Sequence, residues 1–321
     1  MTNTEFSNPL IEQRADPWIY KHSDGYYYFT ASVPEYDRIE IRRARTIEGL
    51  ASAKPAVAWR KYKDGPCSAN IWAPEIHYTD GKWYIYFAAA RTTETTDGLF
   101  DHRMYVLEND FANPLEGNWT EKGQIKTAWE SFALDATTFE HAGKLYYVWA
   151  QKDPDIPGNS NLYISEMADP WTLRGRQTMI AKPEHAWEMI GFSVNEGPAV
   201  LKRGGRIFIS FSASATDFNY CMGLIWADEN ADLLDASSWT KLPQPVFQTN
   251  EETALYGPGH NSFTVGESGE DVLIYHARSY KEIQGDPLYD PNRHTRAQVF
   301  GWNEDGMPNF GVQIPEGGIK R

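Results

Sequence analysis

The chain echoes itself five times. The segments "ADPWIYKHSDGYYYFTAS", "APEIHYTDGKWYIYFAAA", "LDATTFEHAGKLYYVWAQ", "NEGPAVLKRGGRIFISFSAS" and "GPGHNSFTVGESGEDVLIYHAR" share one plan. A polar or charged residue near proline leads into a short strand, a glycine turn, and a second strand dense in aromatic and β-branched residues. Aligned this way, the leading residues are Asp16, Glu75, Asp135, Glu196 and His260, at intervals of 59, 60, 61 and 64 residues. A long period with several strands per unit constrains the fold strongly, because a unit too small to bury its own apolar face must pack on copies of itself.

Within each unit the D-G, A-G or G-G step marks a two-strand turn, where glycine supplies a positive φ that other residues resist. A third strand follows in "RIEIRRA", "RMYVLE", "NLYISEM", "MGLIWA" and "RAQVFGW", and a loosely polar stretch leads to the next unit. Helical periodicity is nearly absent, the best candidate being the short "NADLLDASSW". Five such units predict an all-β fold, a five-bladed β-propeller in which small sheets repeat around an axis. A sandwich or barrel does not account for a 60-residue echo. With no Pro/Ser linker, charge block or low-complexity stretch, residues 1–321 read as one propeller domain.

Composition narrows the partners. The formal net charge is −14 with no long Lys/Arg cluster, so nucleic acid is repelled on average. No apolar run approaches the ~18 residues of a membrane span, and the opening residues lack a secretion-signal pattern, so a soluble, cytoplasmic protein is expected. The aromatic content of 14% suits stacking against a small neutral sugar, and equally suits a packed β core. Cys67 and Cys221 follow no metal spacing and read as inert thiols. Oligomeric state leaves no sequence signal.

In a propeller the first strand of each blade lines the central channel, so equivalent positions converge. Four acids and a histidine at such positions can share a pocket, where carboxylates raise one another's pKa. Glycoside hydrolysis uses that arrangement: one carboxyl arrives protonated to donate to the leaving oxygen, and another, ionised, activates water or attacks the anomeric carbon. The competing explanation, an acid that merely caps the turn entering each strand, suffices for any one position. It weakens for Asp16, Asp135 and Glu196 together, since their neighbours differ while the acid stays.

The ordered motifs "ADPWI", "WAPEI", "LDATTF", "NEGPAV" and "GPGHNS", followed by "RHTRAQVFGWNEDGMPNFG", resemble glycoside hydrolase family 43 over essentially the whole chain. The resemblance implies an inverting enzyme with Asp16 as general base, Glu196 as general acid, and Asp135 orienting Glu196 and tuning its pKa. It implies that Trp72 and Glu75 line the pocket, although a core role for Trp72 is an equal reading and Glu75 reads as a positional, hydrogen-bonding residue. One arginine of "RHTRAQ", Arg293 or Arg296, is expected on the substrate. His276 and Arg278 are weaker candidates that fit inter-blade salt bridges equally well. No cofactor is needed for the chemistry, but a calcium or other cation is expected near His260 on the axis, although calcium favours oxygen ligands. Within the family the chain is most similar to the exo-acting α-L-arabinofuranosidase branch on α-1,5-linked arabino-oligosaccharides. β-Xylosidase, endo-arabinanase and a non-catalytic sugar-binding propeller are the alternatives.

Overall fold

A computed structural model describes residues 6–317; residues 1–5 and 318–321 of the expected domain lie outside the described part. Blade one comprises β1 (Ala15–Lys21), β2 (Tyr27–Ser32), β3 (Arg38–Ala44) and β4 (Ala56–Arg60). Blade two comprises β5 (Ala69–Thr79), β6 (Lys82–Ala90), β7 (Arg103–Asn109) and β8 (Thr120–Gln124). Blade three comprises β9 (Ala133–His141), β10 (Lys144–Gln151), β11 (Asn161–Asp169) and β12 (Thr172–Ala181). Blade four comprises β13 (Asn195–Arg203), β14 (Arg206–Ala213), β15 (Cys221–Asp228) and β16 (Thr240–Lys241). Blade five comprises β17 (Tyr256–Val265), β18 (Asp271–Arg278) and β19 (His294–Val299). The first strands form a ring: β1 touches β5 and β17, β9 touches β5 and β13, and β13 touches β17.

Each blade is an antiparallel meander whose first two strands meet at the expected turns. Asp80-Gly81, Ala142-Gly143 and Gly204-Gly205 carry positive φ at the glycines, and Asp80 and Ala142 are left-handed too, as two-residue hairpins of type I′ require. The fourth strands, read from sequence as polar connections, are a correction. β4 and β8 lie at the blade rim with most residues exposed or half-buried, so burial imposes little alternation on them. "NADLLDASSW" contributes only a 3₁₀ turn, Ala236–Ser238. Cys67 and Cys221 are buried and free, with their thiols pushed up to about 12, chiefly by burial.

Blade five lacks a fourth strand of its own sequence, and the other end of the chain supplies the edge. Leu10 N–H donates to Thr295 O at 2.8 Å and Thr295 N–H to Ile11 O at 2.9 Å. Asn8 extends the pairing with its side chain: Nδ2 donates to Ala297 O at 2.8 Å and Oδ1 accepts from Ala297 N–H at 2.9 Å. Asn8→Ala leaves both buried backbone groups without partners, and a loss of roughly 2–3 kcal/mol follows. Urea unfolding should show a lower midpoint at unchanged slope, whereas an unchanged midpoint removes Asn8 from the closure.

Candidate active site

All five first strands enter the channel through a β-bulge or register shift, and each carries a residue in the left-handed region: Asp16, Ala73, Asp135, Gly197 and His260, with φ of 55, 44, 51, 55 and 41°. A bulge frees one backbone N–H from the ladder, and a buried free N–H needs a partner. The adjoining blade supplies it. Asp16 N–H donates to His276 Nδ1 (3.1 Å), Ala73 N–H to Ser32 Oγ (2.8 Å), Gly197 N–H to Asp135 Oδ2 (3.1 Å) and His260 N–H to Ser212 Oγ (2.7 Å). Proline, which has no donor to lose, follows the bulge residue at Pro17, Pro74 and Pro198.

This register corrects the sequence alignment. Ala73 and Gly197, not Glu75 and Glu196, are the structural counterparts of Asp16. Glu196 precedes its bulge residue and lines the pocket, whereas Glu75 follows by two residues and does not. Glu75 is buried against His77, whose Nε2 lies 3.0 Å from Oε2, and burial holds the Glu75 carboxyl well above the usual range. Its expected place on the substrate is therefore withdrawn. At Gly197 the His260 ring, 3.1 Å from where a Cβ would sit, adds crowding to the left-handed backbone that the non-glycine residues of the other four blades also adopt.

The pocket is a cavity of about 380 Å³ at the end of the channel opposite the tight hairpins. Its floor includes Asp16, Asp135, Glu196 and His260. Its walls come largely from connections between second and third strands: Tyr36, Leu99 and Phe100, Asn159, Tyr220, and Leu288 with Arg293. Trp72 is on the wall, stacked on the buried His102 at 3.9 Å between ring centroids and 22° between planes. The two arginines separate. Arg293 lines the pocket, donating to Asp16 Oδ1 at 3.4 Å and to Tyr36 Oη at 2.7 Å. Arg296 is fully buried outside it, on Glu316 Oε1 at 2.6 Å, because a three-residue step along a strand reverses the face. It is removed from the candidate substrate contacts. Arg278 likewise stays off the pocket lining and clamps Asp290, Thr216 O and Pro287 O beneath the loop that carries Leu288.

The electrostatics divide the acids. Burial pushes the Asp16 carboxyl up, but His260, Arg293 and His276, with the Ser32 hydroxyl at 2.5 Å, outweigh it and hold Asp16 at about 2. Burial also keeps His260 and His276 below the ordinary imidazole value, so near neutrality Arg293 is the cation facing Asp16. Glu196 goes the other way: burial pushes it up to about 7, against a hydrogen bond from Tyr220 and with help from Asp16. Asp135 is raised well above the carboxylate range by burial and by the charges of Glu196 and Asp16. One pocket thus holds a carboxylate, Asp16, and two carboxyls, Asp135 and Glu196, that retain protons far more readily.

His260 does not supply a cation site by itself. Its Nδ1 lies 3.3 Å from Asp16 and 3.7 Å from Asp135, and among the described residues no group of three or more His, Cys, Asp or Glu is arranged to hold a metal. The cation expected near His260 thus has no supporting cluster of such side chains among the described residues. Tyr36 and Tyr220 escaped sequence reading because they sit in connections outside the repeat. Their signal was position, each lying between the second and third strands of its unit.

A ring of five sheets with a divided set of buried acids at its axis defines a class of propeller built for acid–base work on a small ligand. The chain belongs to glycosyl hydrolases family 43, whose sequence profile matches residues 6–308. It is 58% identical to the extracellular exo-α-(1→5)-L-arabinofuranosidase of Streptomyces avermitilis over 97% of this chain and 64% of that protein. It is 55% identical to the enzyme of the same name from Streptomyces chartreusis, over 88% of this chain and 85% of the relative. The crystal structure of an α-L-arabinofuranosidase from Lactobacillus brevis is 61% identical, with a TM-score of 0.95 over 97% of this chain and 98% of that one. The chain therefore spans about 64% of the length of the avermitilis relative. Both Streptomyces relatives are named extracellular, which overturns the expected cytoplasmic location. The fold is indifferent to compartment: among the described residues no helix is long and apolar enough to cross a membrane, and that feature distinguishes neither location.

Proposed function

We propose that the chain is an inverting exo-α-L-arabinofuranosidase that releases terminal L-arabinofuranose from α-1,5-linked arabino-oligosaccharides. Asp16 is the general base that takes a proton from water. Glu196 is the general acid that protonates the glycosidic oxygen, and Asp135 orients it through the backbone that the two share at Gly197. The observation that carries the chemistry is the opposite proton affinity of Asp16 and Glu196 in one pocket, the pairing that glycoside hydrolysis needs in either stereochemical course, and membership of family 43 supports inversion. The names of the similar enzymes support the sugar. Arg293 and Trp72 are proposed substrate contacts, since both line the cavity. The reading of residues 1–321 as one catalytic unit is supported by the ring closure between residues 8–11 and β19.

The test compares p-nitrophenyl α-L-arabinofuranoside with the β-D-xyloside, and follows products from linear arabino-oligosaccharides. Dominant arabinofuranoside turnover with release of monomer alone is expected. Dominant xyloside turnover, or early appearance of longer products, overturns the reading. Activity requires Asp16 ionised and Glu196 protonated, so kcat/KM should hold across mildly acidic pH and fall as pH rises through about 7. A profile still rising above that point contradicts the assignment.

A further inference from the structure

Tyr220 stands next to the acid, outside the three carboxyls that the family resemblance identifies. Its Oη lies 2.8 Å from Glu196 Oε1, and among the described residues this is the one hydrogen bond to the Glu196 carboxyl. The ring is held on both sides. One face stacks on His276, 5.6 Å between centroids and 6° between planes, and the ring edge meets Gly259, where a Cβ would come within 2.4 Å of it. His276 is fixed in turn because its Nδ1 accepts the Asp16 N–H, which places the imidazole hydrogen on Nε2. Glu196 is held from behind: Asn195 N–H donates to Ser160 O at 3.1 Å, and Asn195 Nδ2 to the fully buried Glu188 at 2.9 Å. The backbone beside the acid is thereby anchored, and Tyr220 is the partner that meets the carboxyl itself.

We propose that Tyr220 is a positioning residue that makes that choice: by donating to Oε1 it confines the acidic proton of Glu196 to Oε2 and stabilises the carboxylate left after proton transfer. A neutral carboxyl has one hydroxyl and one carbonyl oxygen, and a donor on Oε1 marks that atom as the carbonyl. Burial keeps the Tyr220 hydroxyl well above its ordinary value, so it remains a donor throughout the working range. In the step itself the Oε2–H bond breaks and its proton goes to the glycosidic oxygen. The anomeric C–O bond pair leaves with that oxygen, while water, deprotonated by Asp16, forms the new C–O bond. The charge left on Glu196 meets a hydrogen bond already in place. This proposal rests on Glu196 being the acid.

Tyr220→Phe keeps the stack on His276 and removes the donor. A donor to the ionised form lowers the pKa of the acid, so its loss should move the alkaline limb of kcat/KM upward by about one pH unit. Turnover of arabinobiose should fall about tenfold while the p-nitrophenyl substrate changes little, because a good leaving group needs less protonation. Gly259→Ala, which drives the ring from its seat, should move the limb in the same direction and serves if Tyr220→Phe fails to fold. An unmoved limb in a folded variant overturns the proposal, and so does a rise in KM at unchanged kcat, the mark of simple substrate binding. Glu196→Ala measured alongside separates the two readings. If it slows both substrates alike, the acid assignment itself fails; if it is selective and the limb stays put, only the role of Tyr220 falls.

Discussion

Asp16→Asn should lower kcat by roughly 10²–10⁴, the contribution expected of a positioned general base, and by similar factors on aryl and natural substrates. The amide is nearly the same size as the carboxylate and can still meet Ser32, so a folded variant with intact binding is expected. What it lacks is an acceptor basic enough to take a proton from water, and a charge to balance the Arg293 guanidinium at 3.4 Å. Because the base acts on the nucleophile and not on the leaving group, improving the leaving group does not restore the rate. Thermal melting checks the fold. A variant that keeps most of its turnover excludes Asp16 as the base and favours a sugar-binding role for the pocket.

Glu196→Ala should behave differently by substrate. On arabino-oligosaccharides the loss should be about a hundredfold or more, as removal of general acid catalysis predicts. On the p-nitrophenyl glycoside it should be much smaller, since p-nitrophenolate departs without a proton. The fall in activity near pH 7 should vanish with the side chain, because Glu196 is the group held at about 7 by burial. Equal losses on both substrates, or an alkaline limb that survives, rule out Glu196 as the acid. Together the two variants distinguish the ends of one reaction: the first insensitive to leaving group, the second governed by it.

The legibility of the fold in the sequence follows burial. First and second strands read clearly because a glycine turn and a dense apolar run mark each one, as in "APEIHYTDGKWYIYFAAA". Fourth strands did not, since the rim positions of Thr120–Gln124 are largely solvated and carry no period. Among the site residues, Asp16, Asp135 and Glu196 stood out because three acids recurred at blade spacing, and they do share the pocket. Glu75 stood out for the same reason and is elsewhere, because it lies two residues past the bulge residue Ala73, a displacement that an approximate spacing does not register. Arg293 and Arg296 were indistinguishable until the strand start at His294 set which face each takes.

The repeat, its turn chemistry and the order of its acids are properties of the chain alone, since each depends on neighbours within a few residues or on simple recurrence. Proton affinity is not. Asp16 is buried and Glu196 half-buried, each at or beside the bulge that opens its blade, yet one is held near 2 and the other near 7. The difference lies in His260, Arg293 and His276, all more than 200 positions away in sequence, which close on Asp16 at 3.3, 3.4 and 3.5 Å, whereas Tyr220 gives Glu196 a single neutral donor. Closure of the ring brings those partners together, and electrostatic energy depends on distance through space. Which carboxyl is ionised and which holds its proton is therefore decided by the tertiary structure.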